Sequence, residues 1–369
     1  MNSLIPVRFR PVVLIIAGLM ALGPVSFLDP GTAFAAFNAG AAHLQIPPGA
    51  RAEGMGRFFN SVADDAFAPW WNPGGLAFTS GWNAGLMHTQ LVAGLVDDVY
   101  FEYLGLSKNI QGFGGVAGTF TYLNYGSSQA TDAGSTDPYD TFNPFEMSFS
   151  GAVGTQIINN LGVGMNLKFV LVDLTSGLSG GEGNGQGTSF AVDLGGLYRW
   201  NKNISGFLGS GPGQMTTRVG VTLADLGPNI SLGNSKESDP LPRNLKVGSS
   251  WGVHIPGSYS ILAGAAIEKS LIFSDIPAPC SEDSTEGCLP EKLSFLERNE
   301  ILLSGGMELG VMDLLFGRVG YLYDDVGEIK NWTFGVGFHI KQFGLDYASI
   351  PQAADLDRVN KFSVVARFD

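Results

Sequence analysis

The stretch Asn331-Trp-Thr-Phe-Gly-Val-Gly-Phe-His-Ile-Lys341 decides the class of this chain. Successive side chains of a β-strand point to opposite faces. One parity carries Trp332, Phe334, Val336, Phe338 and Ile340, and the other carries Thr333, Gly335, Gly337, His339 and Lys341. One face is therefore wholly apolar and aromatic, while the other is small or polar. The last segment repeats the pattern, with Phe362, Val364, Ala366 and Phe368 opposed to Lys361, Ser363, Val365 and Arg367. With an export leader at the other end of the chain, this is how a strand of a bacterial outer-membrane barrel reads. Phe362 and Phe368 form the aromatic signal for the barrel-assembly machinery. The chain ends on Asp369 instead of an aromatic residue, but the alternation before it is intact, so normal insertion is expected.

Composition agrees. Gly numbers 52 and Phe 25, and charged residues make up only 15% of the 369, well below the usual quarter of a soluble protein. Beyond the leader no run of about 18 apolar residues offers a helical span. An apolar, Gly- and Phe-rich chain without membrane helices points to β structure in a bilayer; the competing reading is a large soluble β-sandwich or solenoid. The leader has Arg8 and Arg10, an apolar core from Val12 to Leu22, and Ala33-Phe34-Ala35, which predicts cleavage after Ala35 or Ala36. The expected organisation is a cleavable signal peptide over 1–35, an N-terminal segment over 36–81 and an outer-membrane barrel over 82–369. The net charge of −13 argues against nucleic acid as a partner. Outer-membrane lipid and lipopolysaccharide are the expected surroundings. The only cysteines, Cys280 and Cys288, are expected to close a local disulfide in an external loop.

Alternation between turn clusters predicts about fourteen strands, near 82–91, 98–107, 112–125, 144–157, 161–174, 187–200, 215–226, 243–255, 258–269, 299–311, 314–323, 331–340, 342–348 and 361–368. A barrel of that size encloses a lumen too wide for side chains to fill. The polar face is therefore expected inside and the apolar face on lipid. Lys168, Asp193, Arg199, Arg218, Lys246, Glu268, Glu300, Glu308, Arg318, Lys341 and Arg367 all have the inward parity. They have two readings: a paired network that lines the wall, or an ion-selective channel, which needs a ring of one sign. Connections alternate between short turns and long polar links such as 126–143 and 270–298. Outer-membrane barrels keep their short turns in the periplasm, which places both chain ends there. The link Asn201–Gln214 is the misfit, long where a short turn is expected.

The segment before the first strand does not alternate. It contains Pro47-Pro-Gly-Ala-Arg-Ala-Glu-Gly-Met-Gly56, Ser61-Val-Ala-Asp-Asp-Ala66 and Trp71-Asn-Pro-Gly-Gly-Leu-Ala77. This ordered signature resembles the N-terminus of the PorV/PorQ family, relatives of the FadL-type long-chain fatty-acid transporters. Leu241-Pro-Arg-Asn-Leu-Lys-Val-Gly248, Arg318-Val-Gly-Tyr321 and Leu345-Asp-Tyr-Ala-Ser-Ile-Pro351 extend the match along the mature chain. The resemblance implies a fourteen-stranded barrel with the N-terminal segment in its lumen as a hatch. Its signature residues here are Gly54, Gly56, Asp64, Asp65, Asn72, Pro73 and Gly74. Gly54 and Gly56 permit close backbone approach, and Asn72-Pro73-Gly74 is turn chemistry. Asp64 and Asp65 either cap and tie the segment by hydrogen bonds or bind a cation or ligand.

Three functions fit. One is a surface binding and secretion adaptor for exported proteins, as the resemblance to PorV implies. Another is transport of hydrophobic small molecules, with Phe58, Phe59, Phe67, Trp70 and Trp71 lining a pocket. The same aromatics could instead pack the hatch. The last is a structural barrel without traffic. An enzyme is not expected. Gly177-Leu-Ser-Gly-Gly181 matches a hydrolase pattern but no helix follows it, and neither a metal-ligand spacing nor a cofactor motif emerges.

Overall fold

The computed structural model describes residues 39–92, 94–131, 137–178, 185–205, 211–233, 238–272, 301–325, 327–352 and 357–368. The expected leader and the expected Cys280–Cys288 disulfide, like Glu300, lie outside them. Among the described residues, sixteen strands follow a largely non-strand N-terminal stretch. They are β1 (Trp82–Gln90), β2 (Val99–Ile110), β3 (Gly114–Tyr125), β4 (Ser128–Thr131), β5 (Pro138–Phe142), β6 (Phe145–Ile158), β7 (Leu161–Asp173) and β8 (Gln186–Ile204). The second half comprises β9 (Gly213–Leu226), β10 (Asn244–Ile255), β11 (Tyr259–Ser270), β12 (Ile301–Val311), β13 (Leu315–Asp324), β14 (Ile329–Ile340), β15 (Phe343–Ile350) and β16 (Val359–Phe368).

Fourteen of these close an antiparallel barrel, in the order β1-β16-β15-β14-β13-β12-β11-β10-β9-β8-β7-β6-β3-β2. The barrel closes where Trp82 pairs with Phe368 and Thr89 with Lys361. Each of the fourteen strands corresponds to one of the alternating segments. β4 and β5 form a separate two-stranded hairpin inside the 126–143 link, where no strand was expected. The long Asn201–Gln214 link shrinks, because β8 and β9 continue to Ile204 and Gly213 as a hairpin. No helix among the described residues is long and apolar enough to cross a membrane; strands form the wall.

The wall is apolar outside. Trp332, Phe334, Val336, Phe338 and Ile340 of β14 are all exposed, whereas Thr333 is fully buried. Phe362 and Phe368 of β16 also face outward. Several inward charges are paired: Lys168 with Asp193 and Asp225, Arg318 with Glu308 and Asp346, and Lys246 with the partly exposed Glu268. Two residues depart from the expected lumen set. Lys341 sits in the β14–β15 turn with φ 52°, and Arg367 lies exposed at the end of β16. Parity persists past the strand ends, but the enclosing wall does not.

Residues 41–79 run inside the wall as short helical turns. Helix α1 (Ala50–Gly54) lies against β13 to β16. The 3-10 turn Phe58–Ser61 lies against β9 to β12, and the turn Pro73–Phe78 against β2, β3 and β6 to β8. Helix α2 (Ala68–Trp71) packs between these turns. The segment thus touches the wall on all sides.

Its direction corrects an expectation. The Gly40 amide donates to Pro240 O in the long β9–β10 link, and His43 binds Glu146 near the start of β6. Gly81 O instead accepts from Asn109 N beside the short β2–β3 turn. The segment therefore begins at the long-link rim and ends at the short-turn rim. Residue 40 and the C-terminal Phe368 lie at opposite ends of the barrel. Loop lengths orient the strands but say nothing about a stretch that passes through the lumen.

Candidate functional site

The contact between the inner segment and the wall is built first from glycine. Gly85 pairs with Gly105, Gly115 with Gly154, Gly154 with Gly164 and Gly164 with Gly195. On the other side Gly220 pairs with Gly248, Gly264 with Gly306 and Gly306 with Gly320. All face the segment, and all but Gly85, where a Cβ would meet Ala66 Cβ at 3.0 Å, do so at distances no side chain tolerates. A Cβ on Gly164 would lie 2.3 Å from Pro73 C, one on Gly220 2.2 Å from Asn60 O, and one on Gly320 2.3 Å from Gly56 N. Backbone therefore packs on backbone around most of the circumference. This accounts for much of the chain's glycine. Gly56 is pressed twice over, with φ +80° and a Cβ that would sit 2.3 Å from Gly305 O.

Charge fixes the segment where glycine lets it approach. The Arg51 guanidinium grips Glu308 of β12 with two parallel bonds of 3.0 Å and donates to Asp64 at 2.7 Å. Glu308 also accepts from Arg318 at 2.6 Å, and Arg318 donates to Asp346 at 2.7 Å. Glu53 is fully buried, accepts from Arg57 at 2.7 Å and lies 3.4 Å from Lys361 of β16. Burial opposes its ionisation, but Arg57 and Lys361 outweigh that and hold its pKa below the ordinary carboxylate range. At the long-link rim, the Glu146 carboxylate takes the His43 amide, the His43 ring and the Tyr125 hydroxyl. Pairing and hydrogen bonds offset the burial of these charges, although Arg318 Nη2 and His43 Nε2 are buried without a partner among the described residues.

Asp64 and Asp65 diverge. Asp64 meets Arg51, which outweighs burial and lowers its pKa. Asp65 accepts from the Phe67 amide at 2.9 Å and shapes the turn into α2. Burial and then the Asp64 carboxylate push Asp65 up from 3.8 to about 6. No group of His, Cys, Asp and Glu among the described residues is arranged to hold a metal ion. Asn72 makes three side-chain bonds: its amide donates to Asn60 O and Gly196 O, and its oxygen accepts from Gly74 N. Gly54 lies against Gly335, and Pro73 starts the 3-10 turn that follows.

Phe58, Phe59, Phe67, Trp70 and Trp71 are buried in one cluster with Met87, Phe101 and Tyr103. Phe59 meets Trp71 edge-on at 5.9 Å, and the Trp71 indole donates to Pro48 O. Lys246 places its ammonium 3.8 Å from the Trp70 ring centre. These rings pack against one another in the core of the segment. Arg51, Glu53 and His43 were not singled out in the sequence. A signal existed for the first two: they are the only charged residues in Pro47–Gly56, a stretch otherwise apolar or glycine.

The model for the family described as Type IX secretion system protein PorV matches residues 33–279. The chain belongs to the PorV family. That match spans the inner segment and the wall through β11, and with the closed, outwardly apolar barrel it places this PorV-family protein in the bacterial outer membrane. Similar solved structures include the Ralstonia pickettii toluene transporter TbuX, at 13% identity over 87% of this chain and 98% of that one, TM-score 0.42. The P. putida toluene transporter TodX shares 11% over 87% and 98%, TM-score 0.42. A Pseudomonas aeruginosa FadL homologue shares 11% over 83% and 95%, TM-score 0.38. At such identities and scores these likenesses assign nothing further. No curated protein sequence matches the chain.

Proposed function

We propose that this PorV-family barrel is a secretion adaptor that docks exported proteins at the cell surface, with residues 39–81 as a fixed hatch. Family membership over residues 33–279 carries the reading. The geometry inside the barrel supports it. The hatch is tied to β6 through Glu146, to β12 through Glu308 and to β16 through Lys361. Freeing it would leave buried charges without partners, at about 3–5 kcal/mol for a broken pair. Its aromatic residues fill their own core, which favours docking over passage of a hydrophobic solute. The strand ends that the long links join lie at one rim, and there β4–β5 presents an exposed Tyr139. Lipid and the assembly machinery complete the expected surroundings.

The test replaces residues 128–142 with a short Gly-Ser link. In the native host, cells with only this variant should still assemble a heat-modifiable barrel but retain their secreted proteins in the periplasm. Unchanged secretion sinks the adaptor reading. Uptake of a hydrophobic solute into liposomes carrying the purified barrel would favour the transporter instead.

A further inference from the structure

A concavity of about 900 Å³ opens on the outer side of the wall, not in the lumen. Phe113, Val153, Val163, Met165, Leu194 and Val221 line it, and Thr155 is its lone polar side chain. These residues are cross-strand neighbours: Val153 opposes Met165, Met165 opposes Leu194, and Gly196 opposes Val221. Val153, Met165, Leu194 and Val221 are exposed, so the hollow belongs to the apolar band.

Two features make this part of the wall concave. On the inner side, Gly154, Gly164 and Gly195 lie directly on the Pro73–Gly74 backbone, which draws β6, β7 and β8 inward. On the outer side, Gly196 leaves a gap, since a Cβ there would meet nothing within 4 Å. The floor is one glycine backbone thick.

Its place selects the occupant. Gly112 and Phe113 belong to the short β2–β3 turn, and the lining residues of β6 and β7 lie near the short β6–β7 turn. The hollow is therefore in the periplasmic half of the wall. That leaflet of an outer membrane is phospholipid. Toward the short-turn rim, Tyr198, opposite the first residue of β7, and Trp200, past it, face outward from β8. Tyr and Trp in that position sit at headgroup level. A volume in the range of ligand sites, apolar lining and an interfacial aromatic pair farther along β8 match one molecule. We propose that this groove holds an acyl chain of an inner-leaflet phospholipid as a bound lipid, distinct from the lipid that merely surrounds the barrel.

The test uses the whole barrel in nanodiscs of phosphatidylethanolamine containing a diazirine-tagged phosphatidylethanolamine, with cross-links mapped after illumination. Bound lipid should label Met165 and Leu194 at least fivefold more than Phe334 and Val336 of β14, which are more exposed. Gly196→Trp should fill the hollow and abolish the excess. Gly317→Trp, an outward position on β13 with equally open space, should leave it unchanged and shows that a new surface Trp is tolerated. Uniform labelling of all four residues would overturn the proposal. So would excess labelling that survives Gly196→Trp, or that is displaced by added lipid A while added phospholipid has no effect.

Discussion

At the scale of single residues, the hatch is held by groups that have no slack. Gly56→Ala meets Gly305 O and an unfavourable φ together, so its cost should exceed about 1 kcal/mol. The check is the temperature at which the compact form is lost on cold-loaded gels, which should fall while the wall strands still form. Arg51→Met strips Asp64 of its partner and Glu308 of one of two. It should destabilise by about 3–5 kcal/mol in urea unfolding; a change under 1 kcal/mol would show the network to be ornamental. Asp65 carries a pH signature. Its folded pKa of about 6 exceeds the ordinary 3.8, so the unfolded chain gives up this proton first as pH rises. Stability from this group falls between about pH 4 and 6 and stays low above. Asp65→Asn keeps an oxygen for the Phe67 amide and removes the charge. It should therefore be more stable than the parent at pH 8 and equal to it near pH 3.5, as read from unfolding midpoints at both values. The motif residues Gly54, Gly56 and Asn72 were visible in the sequence as special backbone. Which wall residue each one touches was not, because those partners lie up to 281 positions away, as in the Gly54–Gly335 approach.

At the scale of the strand, parity decides everything that faces lipid. An arginine is costly in mid-bilayer and cheap at the interface. Val336→Arg, midway along β14, should cost about 2–4 kcal/mol, whereas Ile340→Arg, at its end, should cost about 0–1 kcal/mol. Equal costs in reversible folding into lipid would place the membrane band elsewhere. The fourteen wall strands were legible because each carries a period-2 apolar face. The β4–β5 hairpin was not, since Ser128–Thr131 and Pro138–Phe142 are short and lack such a face. Register was equally silent. The β8–β9 ladder shifts between Val192 and Leu194, and Asp225 takes φ 57° beside it, its amide bonded to Asp193. This bulge brings Asp193 and Asp225 onto the one Lys168 ammonium.

For the whole molecule, the barrel and its contents are separable in principle, because the wall closes through its own ladder between β1 and β16. Deleting residues 39–81 should leave a folded barrel and raise its single-channel conductance at least tenfold. An unaltered conductance would mean that something else seals the lumen. What the sequence by itself determined was the repeating local rule: the number of wall strands, the lipid-facing parity, and the existence of a distinct segment before Trp82. Those features depend on neighbours two residues apart, which a linear chain displays directly. Only the tertiary structure decided the direction of the inner segment, its circuit from the β9–β10 link to the β2–β3 turn, and the glycine and ion-pair partners that seat it. These depend on which of fourteen strands curves past a given point of the lumen, and closure of the barrel, not periodicity, sets that geometry.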